Sequence, residues 1–266
     1  MKTFREKTLK RMIKTRKEIK LLKKSAEIAD SCIPVIEAAL NEKGIREREI
    51  ARRIRKQLKK MGAHEAFRTI VACGKRSAYV HPKPRVTNKV VSGIGLVDFG
   101  ACYQGYRTDV TVPFIKGKIS NREKNIVDST LQAYNIAMRA VKLYEYCWRV
   151  HKKVDKFLRC RRLELMHAIG HGIGKSVHEL PYIGNLEKKK IKQFSKKKRE
   201  RIMRRWEALK QLKFQPGMVF TIEPAVYIRG IGGCRIENDF LMTNAGAKQL
   251  THAKLVIVED LNTQRF

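Results

Sequence analysis

Acidic residues are scarce in this 266-residue chain: 25 Asp+Glu face 59 Lys+Arg, a formal charge of +34. So lopsided a balance attracts polyanions, and RNA or ribosome contact through a basic surface is one expectation, although it carries no information on fold. Long apolar runs are also missing. No stretch approaches 18 consecutive apolar residues, which excludes a membrane-spanning helix. The opening MKTFREKTLKRMIKTRKEIK has no apolar segment of the kind a secretory signal needs, and its Arg/Lys-rich, acid-poor make-up leaves a transit peptide as the alternative. Six cysteines (Cys32, Cys73, Cys102, Cys147, Cys160 and Cys234) are widely spaced with no CxxC pair. That argues against a disulfide framework or zinc knuckle and for reduced thiols in a cytoplasmic protein, Cys73 and Cys102 reading as buried structural thiols. Nothing resembles a Ser or Cys catalytic triad.

What is present suffices for a substantial core, since 43% of the residues are apolar. Residues 1–12 read as a basic tail. From Arg16 the periodicity becomes helical, with Ile19, Leu22, Ala26, Ala29, Ile33 and Ile36 at three- and four-residue steps. Pro34 lies inside that run and should kink or break it. A second helix is expected from Arg46 to Met61, closed by Gly62. Ala66–Gly74 and Gly95–Phe114 are rich in Val, Phe, Tyr and Thr and read as strands, followed by helices over Glu123–Leu143 and Arg149–Leu158. From Gly217 onward the chain is strand-like again. Two helix-then-sheet halves imply an α+β architecture, with an internal pseudo-repeat that sequence self-similarity does not establish.

One segment stands apart. Residues 187–213 (EKKKIKQFSKKKRERIMRRWEALKQLK) carry 13 Lys/Arg against 3 Glu. Ile202, Met203, Trp206, Leu209 and Leu212 form one helical stripe, so this is a basic amphipathic helix able to dock on its own protein, on RNA or on a membrane surface. A solvated surface helix docked by Trp206 is the simplest reading.

Five residues stand out as a set: Asp98, Asp109, His171, Glu223 and Glu237. Asp98 interrupts the apolar run GLVDFG, where an ionised carboxylate is expensive unless paired or bound to a cation. Asp109 follows after Gln104-Gly105, a plausible tight turn that would bring the two aspartates close on adjacent strands. Glu223 (TIEP) and Glu237 (RIEN) repeat the logic across a loop centred near Gly230, and Pro224 holds Glu223 extended. Taken singly, each carboxylate is as readily satisfied by an arginine such as Arg107 or Arg235. Taken together with His171, flanked by glycines in HAIGHGIGKSVHELP, they form a donor set for Mn, Fe, Co or Zn, and one large enough for two ions.

The motifs VDFGACYQGYRTDVT, HAIGHGIGKSVHELP, GMVFTIEP and GGCRIEN resemble those of the pita-bread (creatinase/aminopeptidase) metallopeptidases: methionine aminopeptidase, aminopeptidase P and prolidase. The similarity runs from about Ile13 to Glu259, interrupted by the basic segment. It implies a single pita-bread catalytic domain over 13–266, made of two pseudo-symmetric helix-plus-antiparallel-sheet halves, with 187–213 as a helical insertion. It also implies two divalent ions (Mn, Co, Fe or Zn), with Asp98 as bidentate ligand of one, His171 and Glu223 as ligands of the other, and Asp109 and Glu237 as bridges. By the same resemblance His81 (SAYVHPKP) meets the scissile amide or substrate amine, His178 stabilises the carbonyl oxygen, and Glu223 shuttles a proton during attack of a metal-bridging hydroxide.

Within the family, TIVACGKRSAYVHPKP and EPAVYIRGIGGCRIEN look most like the Xaa-Pro branch, without its N-terminal domain. The expected activity is removal of an N-terminal residue from peptides with Xaa-Pro specificity. Methionine aminopeptidase is the alternative, because the length is that of a bare catalytic domain. Tyr182 stands in HELPYIG where prolidases usually place an arginine for the dipeptide carboxylate, which argues against strict dipeptidase action. The alternative of another class is a non-catalytic RNA- or ribosome-binding pita-bread module, although such proteins generally lose metal ligands and every ligand position here is filled. A monomer is the favoured state.

Overall fold

The computed structural model describes residues 12–185 and 193–259. The expected basic tail therefore lies outside the described residues except for Met12, and so do residues 187–192 of the expected insertion. Met12 departs from the tail reading: it is buried among the apolar side chains of the second half.

The first half opens with α1 (Arg16–Asp30), started by a capping box in which Thr15 and Glu18 satisfy each other's backbone N–H groups. The periodic run does not continue unbroken. It stops at Ser31–Cys32 and restarts as α2 (Ile33–Asn41), with Pro34 in the first turn where its missing N–H has no helical partner to lose. Helix α3 (Glu47–Lys60) occupies nearly the expected span and ends before Gly62, whose φ of 74° lies in the left-handed region.

These helices pack on a four-stranded sheet ordered β14-β6-β3-β2, from β2 (Ile70–Cys73), β3 (Gly93–Phe99), β6 (Val110–Lys116) and β14 (Val256–Val258). The sheet is antiparallel, as expected, except at its edge, where β14 pairs with β6 in parallel. The C-terminal segment returns from the other half rather than from an adjoining hairpin. Strand β2 is also shorter than the Ala66–Gly74 run. Between β3 and β6 the chain forms β4 (Ala101–Tyr103), which pairs with β1 (His64–Glu65), and β5 (Tyr106–Arg107), joined to β4 at Gln104 and Gly105 with φ of 48° and 81°. Positive φ at both positions is the two-residue hairpin turn that the sequence predicts there.

The second half pairs α4 (Asn121–Ala140) and α5 (Cys147–Cys160) with a five-stranded sheet ordered β13-β12-β9-β7-β8. Its strands are β7 (His171–Gly172), β8 (Glu179–Tyr182), β9 (Val219–Ile222), β12 (Asn238–Thr243) and β13 (Gly246–Gln249). A separate hairpin of β10 (Ala225–Ile228) and β11 (Gly232–Arg235) precedes β12. Each half thus buries its own apolar cluster between helices and sheet. The basic segment forms helix α6 (Lys196–Lys210), of which Trp206 alone is fully buried.

The halves are stitched together by backbone. Thr111 N–H donates to the Glu237 carbonyl at 3.3 Å, and Glu237 N–H donates back to Thr111 at 3.2 Å. The acidic residues singled out in the sequence lie at this seam.

Candidate metal centre and active site

Strand geometry delivers the carboxylates. Asp98 sits on β3 opposite Thr111 of β6, so Asp109 enters the site from just before β6 rather than from directly across the ladder. The β10–β11 register pairs Ala225 with Arg235. Extending it by two residues sets Glu223 opposite Glu237, as the loop around Gly230 suggests. His171, at the start of β7, is fixed by its own N–H donating to Thr221 Oγ1 at 3.2 Å. Gly170 and Gly172 on either side approach the backbone carbonyls of Thr221 and Leu180 so closely that a Cβ at either position would collide.

Convergence follows. One donor atom from each of Asp98, Asp109 and Glu237 lies within 4.8 Å of the others, and the same holds for His171, Glu223 and Glu237 and for Asp109, His171 and His178. Asp109, His171 and Glu237 each belong to two of these triads. The structure therefore brings all five singled-out residues into one cluster.

The competing arginine reading holds only in part. Arg107 turns away to the carbonyls of Gly105 and Lys175. Arg235 is buried here, its Nη2 donating to Asp98 Oδ2 at 2.5 Å and its Nε lying 3.9 Å from Glu237 Oε2. One guanidinium does not balance the four carboxylates, and the buried Asp98 Oδ1 and Glu237 Oε1 have no hydrogen-bond partner. At an effective dielectric of about 20, two ionised groups ~5 Å apart repel by about 3 kcal/mol. Burial, followed by the charge of neighbouring carboxylates, accordingly drives the pKa of Asp109 and Glu223 well above the ordinary range and that of Glu237 up to about 7. Orphaned oxygens in a crowded, buried acidic cluster beside a neutral imidazole fit hard-to-borderline divalent ions.

The histidines are set for the same chemistry. His171 Nδ1 faces the Gly172 carbonyl at 3.1 Å, which can only accept, so Nδ1 carries the proton. Its Nε2 lone pair then points at Asp109 Oδ2 (3.6 Å) and Glu223 Oε1 (3.5 Å). Burial lowers the pKa of His171 to about 4, with the neighbouring His178 adding to it, so the ring is neutral at physiological pH. The His178 ring lies 4.3 Å from that of His171, centroid to centroid. His81 is apart from the acidic cluster, but it lines the same cavity. Its pKa is lowered first by burial and then by Arg235.

Three supporting residues were not among the predicted ligands. Asp239 is buried, accepts the Asp109 N–H at 3.2 Å through Oδ2, and leaves Oδ1 without a partner. Its signal was available: Glu237 and Asp239 are two apart on a strand and share one face. His167 Nδ1 faces the Ala168 carbonyl at 2.6 Å and lies 3.8 Å from Glu223, while Nε2 meets Tyr227 Oη at 3.2 Å. Tyr227 in turn accepts from Arg235 Nη1 at 2.6 Å. Tyr227 and Arg235 lie on the two strands of the β10–β11 hairpin, and no sequence spacing links them to His167, which lies in the loop before β7.

The cluster forms the floor of a cavity of about 980 Å³. Its walls include His81, His178 and Tyr182, together with Ile202, Arg205, Trp206 and Leu209 from α6. The amphipathic stripe is thus docked on its own protein, over the acidic cluster.

The description "Metallopeptidase family M24" matches residues 20–244. The Xaa-Pro dipeptidase of Pyrococcus furiosus is 32% identical over 248 residues, 91% of this chain and 63% of the relative. That of Pyrococcus horikoshii is 32% identical over 255 residues, 93% of this chain and 65% of the relative. This chain therefore spans just under two thirds of the length of those curated relatives. Among solved structures, the prolidase from Pyrococcus furiosus superposes with a TM-score of 0.79 at 30% identity, covering 94% of this chain and 68% of the other. The X-Pro aminopeptidase from Thermotoga maritima gives 0.78 at 29% identity, covering 96% and 66%.

Proposed function

Because this chain belongs to metallopeptidase family M24 and has its pita-bread fold, we propose that it is an Xaa-Pro peptidase that uses two divalent ions to release an N-terminal residue. The observation that carries the reading is the buried cluster of Asp98, Asp109, His171, Glu223 and Glu237, with oxygens that no protein group satisfies. In this reading residues 13–266 act as one catalytic unit into which 187–213 is inserted. The relatives reported above carry Xaa-Pro names, which favours that specificity over the methionine alternative. The donor set being complete disfavours a purely RNA- or ribosome-binding role. Five of the six cysteines are buried and all six are free, which supports a reducing, cytoplasmic compartment in this reading.

Asp98 would hold one ion, His171 and Glu223 the other, with Asp109 and Glu237 shared. When bound, Mn, Co, Fe or Zn would supply an activated water and electrophilic assistance at the scissile carbonyl. The remaining work falls to the chain itself. Glu223, whose carboxyl burial pushes well upward, would accept a proton from the attacking water and pass it to the leaving amine nitrogen. His178, on the cavity wall, donates to the oxygen where negative charge develops. His81, kept neutral by burial, contacts the peptide amide or the substrate amine. The Arg235–Tyr227–His167 chain of hydrogen bonds orients the groups beneath.

The test is a substrate panel with added Mn, Co, Fe or Zn: Xaa-Pro-containing oligopeptides, Xaa-Pro dipeptides and Met-Ala peptides. Cleavage of Xaa-Pro substrates is expected, and cleavage of Met-Ala peptides alone would overturn the specificity. Asp109→Asn should lower metal stoichiometry and cut turnover by orders of magnitude; full activity would remove Asp109 from its shared role.

A further inference from the structure

Helix α6 is where this molecule spends charge on its own cavity. Ile202, Arg205, Trp206 and Leu209 line that cavity and follow the i, i+3, i+4, i+7 pattern of a single helical face. Three of the four are apolar, and Trp206 is buried at 8% exposure. Arg205 is the exception: a guanidinium in an apolar stripe, exposed while its neighbour Trp206 is buried.

Its isolation from acid is built into the sequence. The residues one helical turn away are Arg201, Ile202, Ala208 and Leu209, none of them acidic. Among the described residues, no carboxylate pairs with Arg205, whereas Lys210 on the same helix pairs with Glu207 at 3.5 Å. A second guanidinium, Arg85, lines the same cavity and donates to the Arg68 carbonyl at 3.1 Å. The cavity is therefore electrically two-ended. Its floor holds the buried carboxylates, Glu179 on its wall is paired with Lys14, and Arg205 and Arg85 add positive charge that no carboxylate among the described residues pairs with.

We propose that Arg205 is a specificity-determining residue, which selects peptides bearing a carboxylate close behind the scissile bond while Trp206 and Ile202 hold the intervening side chain. The assignment rests on the peptidase reading given above for what the site cleaves, and on the cavity wall alone for what it prefers. A planar guanidinium offers paired N–H donors that match a carboxylate. That carboxylate has two sources, the C-terminus of a short peptide or an acidic side chain, and a neutral C-terminal amide has neither.

Binding and turnover separate the two claims. The ligands are alanyl-proline analogues in which a methylene replaces the scissile carbonyl: the free acid, its C-terminal carboxamide, and the carboxamide extended by one glutamate. Calorimetric titration into the metal-loaded full chain should show the free acid or the glutamate form binding about tenfold tighter than the plain carboxamide, or about 1.4 kcal/mol. The stronger of the two anionic ligands identifies the source. The preference should shrink with added salt, fall to near unity in Arg205→Ala, persist in part in Arg205→Lys, and reverse in Arg205→Glu. Equal binding of acid and carboxamide by the native chain, or an unchanged preference in Arg205→Glu, overturns the proposal. Hydrolysis of the natural peptides, followed in parallel, reports separately on the peptidase reading, because the binding preference is measured whether or not cleavage occurs.

Discussion

Glu237→Gln in metal-stripped protein offers the most demanding test of the electrostatics. Glu237 is buried between Asp98, Asp109 and Glu223, and its pKa is raised, first by burial and then by Asp98, from 4.5 to about 7. A carboxyl with a raised folded-state pKa binds its proton more tightly folded than unfolded, so stability falls as pH rises through the interval between the two values. The shift of about 2.5 pH units corresponds to about 3 kcal/mol at 1.36 kcal/mol per unit. That cost is absent below about pH 4.5 and complete above about pH 7. Glutamine keeps the size and an acceptor for the Thr111 hydroxyl, which donates to Glu237 Oε2 at 2.8 Å, but it carries no charge to desolvate. Urea unfolding of the chelator-treated proteins across this pH range should give a variant-minus-native difference that grows by about 3 kcal/mol between pH 4.5 and pH 8. Saturating manganese should stabilise the native chain strongly at pH 8 and the variant much less. A difference that does not change with pH would refute the claim that mutual repulsion and desolvation at Glu237 are what the cations relieve.

Two further predictions concern the scaffold. Gly170→Ala would press a Cβ into the Thr221 carbonyl beside His171, so unfolding should show a loss of about 1–3 kcal/mol together with weakened manganese binding, and an unchanged midpoint would deny the close approach. His167 and His171, both lowered to about 4 by burial, should show ring NMR signals that do not titrate between about pH 5 and pH 8 in the metal-free protein. Linkage then has the opposite sign to Glu237: these rings are neutral when folded, so stability is lost as pH falls below about 6.5 towards 4. A midpoint near 6.5 for either ring would show it to be solvated.

Much of the site was legible because strand residues that share a register are brought together by local rules. The Gln104–Gly105 turn and the Gly230 loop each fold a short stretch back on itself, and the glutamates two residues beyond the β10–β11 ladder are opposed by arithmetic alone. Asp109 was harder, since a two-stranded excursion intervenes and it reaches Asp98 off-register. The start of α1 followed from apolar periodicity and its interruption from Pro34, whereas the caps at Thr15 and Ser120 were not read from the sequence and α4 begins two residues before the expected Glu123.

Other features depend on segments remote in the chain. The parallel pairing of β14 with β6, the burial of Met12, and the Thr111–Glu237 bridge join residues far apart in the sequence. Apolar character predicts that such groups are buried but not against what, because burial is non-directional.

By itself, the sequence determined the donor types, the two-halved alternation of helix and strand, and the amphipathic face of the basic segment. Those are properties of neighbours along the chain: period, capping and turn chemistry. The tertiary structure alone decided that the carboxylates share one seam, that Arg235 reaches Asp98 whereas Arg107 turns away, and that α6 lays Arg205 and Trp206 over the acidic floor. Charges repel or pair through space, over a few ångströms, and a linear spacing of 30 or 130 residues does not fix that distance until the two cores have packed.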